Sequence, residues 1–265
     1  MMEKMIFGRY IPAESPLHRM DPRSKILLVF LFVCVVFIAN NAITYGLLAV
    51  YTFLMVLSSK VPIRFILGGL RIVLWLVLFT LVLHLFFTKE GDVLFQWGSI
   101  SIYEGGLKQG IFISVRFFLL ILMTSLLTLT TTPIEITDGI EVLLDPLKKI
   151  KFPVHELALM MSISLRFIPT LMEETDKIMK AQTARGVEFS GGPIKDRVKA
   201  IIPLLIPLFI GSFKRAEELA TAMEARGYRG GEGRTKYRQL RWGFVDTVML
   251  LILAFVTAAL VLFRS

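Results

Sequence analysis

"LALMMSISLRFIPTLM", residues 157–172, decides the fold of this chain. Counted as a membrane span together with "AIIPLLIPLFIGSF" at 200–213, it gives seven spans; counted as part of a longer amphipathic helix, it leaves five. Arg166 and Pro169 interrupt the first stretch, which runs directly into the charged "EETDKIMKAQ". The second is only about 14 residues long and contains Pro203 and Pro207, whereas a span needs roughly 20 consecutive apolar residues. Each proline removes a backbone donor and bends the axis. The five-span reading follows, with two long helices near 154–185 and 195–226. Each has an apolar first half at or under the membrane and a charged second half reaching into the cytoplasm.

Outward from this region the chain is plainly built for lipid. It has 265 residues, of which 55% are hydrophobic, and a mean hydropathy of +0.68. A soluble domain of that length rarely carries so much apolar character. Apolar runs at 26–39, 42–58, 65–87, 107–131 and 244–263 supply the spans. The first two flank "NN" and read as a tight hairpin. The first is short and is expected to extend into its flanks. No small-residue cleavage site follows it, so residues 1–25 read as retained rather than as a signal peptide. The single cysteine, Cys34, rules out an intramolecular disulfide framework.

The loops orient the spans. Residues 1–25 hold five Lys/Arg, the loop 59–64 holds Lys60 and Arg64, and 134–242 holds 18 Lys/Arg against 14 Asp/Glu. The loop 88–106 carries one lysine against Glu90, Asp92 and Glu104. With five spans, the excess of cations falls on one side throughout, which places the N-terminus and 134–242 in the cytoplasm. The expected organisation is therefore an N-terminal segment with four transmembrane helices (1–133), cytoplasmic coupling helices (134–242) and a final transmembrane helix (243–265). Within the middle part, "DGIEVLLDPLKKI" (138–150) reads as a shorter helix, "VEFSGGPI" (187–194) as a turn, and "GYRGGEGRTKYR" (227–238) as a basic, glycine-rich segment. The fold class is an all-α membrane protein of about five transmembrane helices with long amphipathic coupling helices.

Catalytic signals are missing from the sequence. No G-x-x-x-x-G-K-[ST] occurs, and "GGEGRTK" has its glycines and lysine in the wrong order for a phosphate cradle. His18, His84 and His155 lack an i, i+4 partner or nearby cysteines. Arg71 and Arg116 lie inside spans, where they either line a substrate or ion path, or else snorkel to the interface or contact a carbonyl or an acid such as Asp246 on another helix. The second reading is favoured, because no paired acidic relay or broken half-repeat accompanies them. Gly106 and Gly110 give a small-xxx-small spacing at a span entrance, suited to close helix packing.

Two short motifs remain. "AQTARG" (181–186) and "AMEARG" (222–227) both end a charged helical pattern in Ala-Arg-Gly, 41 residues apart. Singly, each is a helix cap: glycine takes the left-handed position past the last turn, and arginine suits the negative end of the helix dipole. Together they say more. Residues 173–186 align without a gap to 214–227, matching Ala181 to Ala222, Asp176 to Glu217, and Ala184, Arg185 and Gly186 to Ala225, Arg226 and Gly227. Small flanking residues leave each guanidinium as the one large feature at its tip, and its planar five-donor head suits an acidic cleft on another protein. Two equivalent tips imply two similar clefts, and a pair of nucleotide-binding subunits is the economical partner.

The chain resembles the transmembrane (T) component of energy-coupling factor (ECF) transporters, a family that includes the related cobalt-transport permease subunit. The resemblance starts with "GRYIPAESPLHRMDPRSK" (8–25), continues through "TTPIEITDGIEVLLDPLKKIKFPVHELALMMSISLRFIPTLMEE" (131–174), and takes in both Ala-Arg-Gly tips. It implies a non-catalytic membrane subunit for vitamin or metal-ion uptake, in a prokaryotic cell membrane. Arg185 and Arg226 match the motif arginines that dock on two ABC-type ATPases. ATP and magnesium would be bound by those partners, so this chain is expected to hold neither cofactor nor metal, and nucleic acid is not an expected partner. Met160, Met161, Leu205 and Phe209 would offer an apolar surface to a small integral-membrane substrate-binding (S) subunit, and Pro169, Pro203 and Pro207 would let the long helices tilt. The rivals are a self-contained secondary carrier using Arg71 and Arg116, and a membrane-embedded enzyme using His18, Asp21 and the basic 227–241 segment at an anionic lipid surface; no nucleophile–base cluster supports the latter.

Overall fold

A computed structural model describes residues 10–97, 100–189, 191, 193–230 and 239–264. Helices dominate: α1 (Pro16–Arg19), α2 (Pro22–Val36), α3 (Ala42–Ser59), α4 (Ile63–Phe87), α5 (Glu104–Thr130), α6 (Pro133–Leu143), α7 (Val154–Ala184), α8 (Ile194–Ala225) and α9 (Phe244–Leu262). By contacts the chain divides into two compact units, one holding α1–α6 and α9, the other α7, α8 and the 3₁₀ turn Asp145–Ile150.

In the first unit the helix starts are written locally. Asp21 caps α2 by accepting the Arg23 N–H at 2.8 Å, and Pro22 occupies the first turn, where its missing donor costs nothing. Asn41 opens α3 through a reciprocal capping box with Thr44. The expected hairpin at "NN" is present, with Asn41 as the cap. Thr132 and Glu135 make the same reciprocal pair ahead of α6, in "TPIE". The helices close around Leu28, Phe32, Leu48, Leu70, Met123, Leu253 and Leu260, each less than 3% exposed. The Phe32 and Tyr51 rings stack at 5.8 Å and those of Tyr45 and Phe112 at 5.1 Å. Outside this core, Phe30, Phe53, Trp75, Phe79, Phe87 and Phe255 are exposed, as befits side chains whose solvent is hydrocarbon.

The glycine pair at the start of α5 sets its contact with α4. A Cβ on Gly106 would stand 2.9 Å from the carbonyl oxygens of both His84 and Thr88, and one on Gly110 would stand 3.3 Å from the His84 Cβ. The expected close packing is thus built on backbone-to-backbone approach.

Among the described residues, four helices are long and apolar enough to cross a membrane: α3, α5, α9 and α7, with Val73–Phe87 of α4 a shorter apolar segment. α2, with 15 residues, rises only about 22 Å at 1.5 Å per residue. α7 qualifies because its apolar first half carries few charges, the same property that makes 157–172 ambiguous in the sequence.

Two local readings change. The helix expected over 138–150 is two pieces, α6 ending at Leu143 and a 3₁₀ turn over Asp145–Ile150. Pro146 is the cause, since an interior proline lacks the donor and clashes with the preceding turn. The loop 88–106 contains an antiparallel hairpin, β1 (Val93–Trp97) paired with β2 (Ile100–Tyr103), with Val93 opposite Tyr103 and Trp97 opposite Ile100. The segment 227–238 lies outside the described residues beyond Gly230.

Candidate functional site

The ends of α7 and α8 share one geometry. Arg185 sits at φ −88°, ψ 4° and Arg226 at φ −87°, ψ 4°. Gly186 and Gly227 follow in the left-handed region, at φ +90° and +76°. The Val187 N–H donates to the Gln182 carbonyl at 3.0 Å and the Gly186 N–H to that of Thr183 at 3.0 Å. The Tyr228 and Gly227 N–H groups repeat the pattern onto Met223 and Glu224, at 3.0 and 2.9 Å. Each tip is a Schellman motif, which satisfies carbonyls that the helix end leaves open. A Cβ on either glycine would meet nothing within 4 Å, so backbone conformation rather than packing requires the residue. Ala184, Arg185, Gly186, Ala225, Arg226 and Gly227 are all exposed.

The helices that carry these tips run antiparallel. Gln182 reaches Pro203 near one end of the pair, Glu174 meets Arg215 at 2.5 Å in the middle, and Phe167 and Leu171 face Leu219 and Met223 across a groove of about 470 Å³ toward the other end. Arg185 therefore lies toward the start of α8, and Arg226 toward the start of α7. The matched tips stand at opposite ends of the helix pair, an opposition that the sequence repeat alone does not give.

Pro169, Pro203 and Pro207 all lie inside continuous helices of 31 and 32 residues. Pro207 has no N–H to offer the Pro203 carbonyl, and Gln182 Nε2 donates to that freed oxygen at 3.4 Å. One proline thus creates a point of attachment between α7 and α8. Met160, Met161, Leu205 and Phe209 are exposed, at 56%, 42%, 43% and 60%. Ile202, Ile206, Ile210 and Phe213 extend the α8 group into a stripe at helical spacing, which sequence reasoning only half identified.

The first unit holds a polar network around "SPLHRMDPRSK". Asp246, at the start of α9, accepts the Asp21 N–H at 2.9 Å, the Gly243 N–H at 2.6 Å and the Ser24 hydroxyl. Arg23 clasps the Asp21 carboxylate through Nε at 2.9 Å and Nη2 at 2.7 Å. Burial alone would raise the Asp21 pKa, but the side-chain and backbone hydrogen bonds from Arg23 outweigh it and hold the carboxyl below its ordinary value. Lys25 Nζ donates to the Thr130 carbonyl at 2.9 Å and the Thr131 hydroxyl at 3.2 Å, fixing the end of α5. His18 Nε2 lies 2.9 Å from the Ile11 carbonyl and Nδ1 lies 2.7 Å from the Ser15 hydroxyl. Burial is the main cause that lowers its pKa, so the neutral ring is favoured. Sequence reasoning missed Ser24 and Lys25 because their partners are over 100 residues away.

Arg116 meets a carbonyl, as favoured above: Nη2 donates to Ala39 O at 3.3 Å, and the guanidinium lies 5.3 Å from the Phe37 ring and 5.9 Å from that of Tyr45. Asp246 is not its partner, being committed to Ser24 and two backbone groups. The Arg71 side chain lies outside the described residues.

Comparison with known proteins matches residues 13–237 to the family described as CbiQ, cobalt transport protein. The chain is 63% identical over 265 residues to the energy-coupling factor transporter transmembrane protein EcfT of Bacillus subtilis (strain 168), covering all of both chains. It is 60% identical to that of Listeria innocua, again over all of both. With that of Streptococcus thermophilus it shares 51% over 262 residues, which is 99% of this chain and 98% of the other.

Proposed function

Because the chain belongs to the CbiQ family and is a transmembrane component of an energy-coupling factor transporter, we propose that its two Ala-Arg-Gly tips are the points at which two ATPases engage it. The observation that carries this is the matched geometry of the tips: two exposed guanidiniums, presented by identical caps, at opposite ends of one antiparallel helix pair. A pair of ATPases related by a two-fold axis offers two identical clefts that face in opposite directions about that axis. An antiparallel pair of arms fits that demand, and a parallel pair does not.

In this reading the chain is a non-catalytic scaffold in the bacterial cell membrane, with its N-terminus and coupling helices cytoplasmic. ATP and magnesium belong to the ATPases. Met160, Met161, Leu205 and Phe209 present apolar surface to a small membrane subunit that selects a vitamin or metal ion. Pro169, Pro203 and Pro207 lower the resistance of the long helices to bending when the ATPases move. The engagement of Arg116 with Ala39 counts against a secondary carrier that needs this arginine free in a path.

Purification of the tagged chain under mild conditions, followed by native mass spectrometry, tests the assembly. The expected result is two ATPase subunits and one small membrane protein per chain. A chain that moves substrate alone in liposomes without ATP would overturn it.

A further inference from the structure

Glu174 and Arg215 are 41 residues apart, the same offset that relates the two tips. They are therefore equivalent positions of the internal repeat, yet they touch each other, at 2.5 Å. In an antiparallel pair of repeated helices, only equivalent positions that meet can lie on the local two-fold axis. The axis of the α7–α8 pair passes through this contact.

Each tip lies 11 residues beyond it, from Glu174 to Arg185 and from Arg215 to Arg226. At 1.5 Å per residue, both arms are about 16 Å long. The repeat keeps the same residues at the tips but exchanges charge at the axis: Glu173 and Glu174 on α7 correspond to Lys214 and Arg215 on α8. Identical residues on the axis would set like charges face to face. Gly211, with no side chain, lets the α8 backbone come close to Glu174; a Cβ there would stand 3.2 Å from Oε1. Both side chains of the pair are sheltered, with 26% and 29% exposure, so their attraction is screened less than that of a surface pair.

We infer that Glu174 and Arg215 are positioning residues: their ion pair is the fulcrum that fixes the crossing of α7 and α8 and, through equal arms, the placement of Arg185 and Arg226. Rotation about this contact moves both tips equally, which a symmetric pair of ATPases requires. The inference rests on the proposed docking role of the tips for its purpose, and on the α7–α8 geometry alone for its substance.

The test uses spin labels at Arg166→Cys and Glu224→Cys, both exposed and on opposite helices beyond the fulcrum, in a Cys34→Ser background. Measurements are made on the purified complex, with ATP hydrolysis followed alongside. Glu174→Arg or Arg215→Glu alone should broaden the distance distribution and shift it by about 4 Å, as a rotation of about 20° over arms of about 13 Å requires. The neutral Glu174→Gln should broaden it less, and provides a readout if either reversal fails to fold. The exchange Glu174→Arg with Arg215→Glu should restore both the distribution and the ATP hydrolysis rate. Unchanged distances in the single variants, or no restoration by the exchange, overturn the fulcrum. Retention of both ATPases by tip variants at Arg185 and Arg226 would instead overturn the docking reading and leave the distance result standing.

Discussion

The backbone N–H of Asp21, at the head of the first long helix, donates to Oδ1 of Asp246, in the first turn of the last one, at 2.9 Å across 225 residues of sequence. Both groups are buried, at 4% and 1% exposure. Asp246→Ala leaves the Asp21 and Gly243 N–H groups without their acceptor. Of these two donors only the Asp21 N–H is buried, Gly243 being exposed, so the expected loss is that of one unsatisfied buried donor, about 1–3 kcal/mol. Thermal unfolding in detergent should show a clear drop in midpoint, and an unaltered midpoint would mean the last helix is held by apolar packing alone.

Acid should loosen the same region in two stages. His18 is favoured neutral in the folded chain, its pKa lowered mainly by burial. Its contribution is complete above the ordinary value of 6.5 and is lost as pH falls from there through the lowered folded value. Asp21 also has a lowered pKa, because its hydrogen bonds with Arg23 outweigh burial, and its contribution is lost only as pH falls below the ordinary 3.8. Melting curves from pH 8 to 3 should show the upper step in full and the onset of the lower one, and His18→Gln should remove the upper step while leaving that onset.

At the tips, glycine is required by conformation. Gly186→Ala and Gly227→Ala place a side chain at φ +90° and +76° with no steric obstacle nearby. A left-handed residue with a Cβ costs about 1–2 kcal/mol, and asparagine tolerates the region better. Hydrogen exchange at Val187 and Tyr228 should accelerate in the alanine variants and much less in the asparagine ones. Equal exchange in all would show that the caps do not depend on the left-handed turn.

Gly106 presents the opposite case, where space decides. A Cβ there meets two backbone carbonyls at 2.9 Å, and backbone cannot swing aside as a side chain can. Gly106→Ala should therefore separate α4 from α5 and cost about 1–3 kcal/mol as overpacking, whereas Gly110→Ala, at 3.3 Å from a side-chain atom, should cost less. The order of the two melting points checks the claim.

What the sequence reveals here is whatever is encoded within a few turns. The bounds near 154–185 and 195–226 fall within a residue of α7 and α8, because Ala-Arg-Gly ends each helix by local chemistry. The hairpin at "NN" is legible through Asn41 for the same reason. The 3₁₀ turn over Asp145–Ile150 is hidden because apolar periodicity runs on through Pro146, and the β-hairpin because "VLFQW" carries no apolar–polar alternation. Relations across the chain were beyond reach. Nothing near Ser24 points to Asp246, and the repeat does not say that its copies run in opposite directions. Exchanged charge at Glu174 and Arg215 is visible in the sequence, but it acquires meaning only when the two are seen to touch.

The central claim is that each arginine tip holds one ATPase, and the most direct measurement counts them. Native mass spectrometry of the purified complex should find two ATPase subunits on the unaltered chain, one after Arg185→Glu or Arg226→Glu, and none when both are reversed. Reversing a cation in an acidic cleft costs several kcal/mol, enough to empty the site at micromolar concentrations. Two ATPases still bound to the doubly reversed chain would contradict the account.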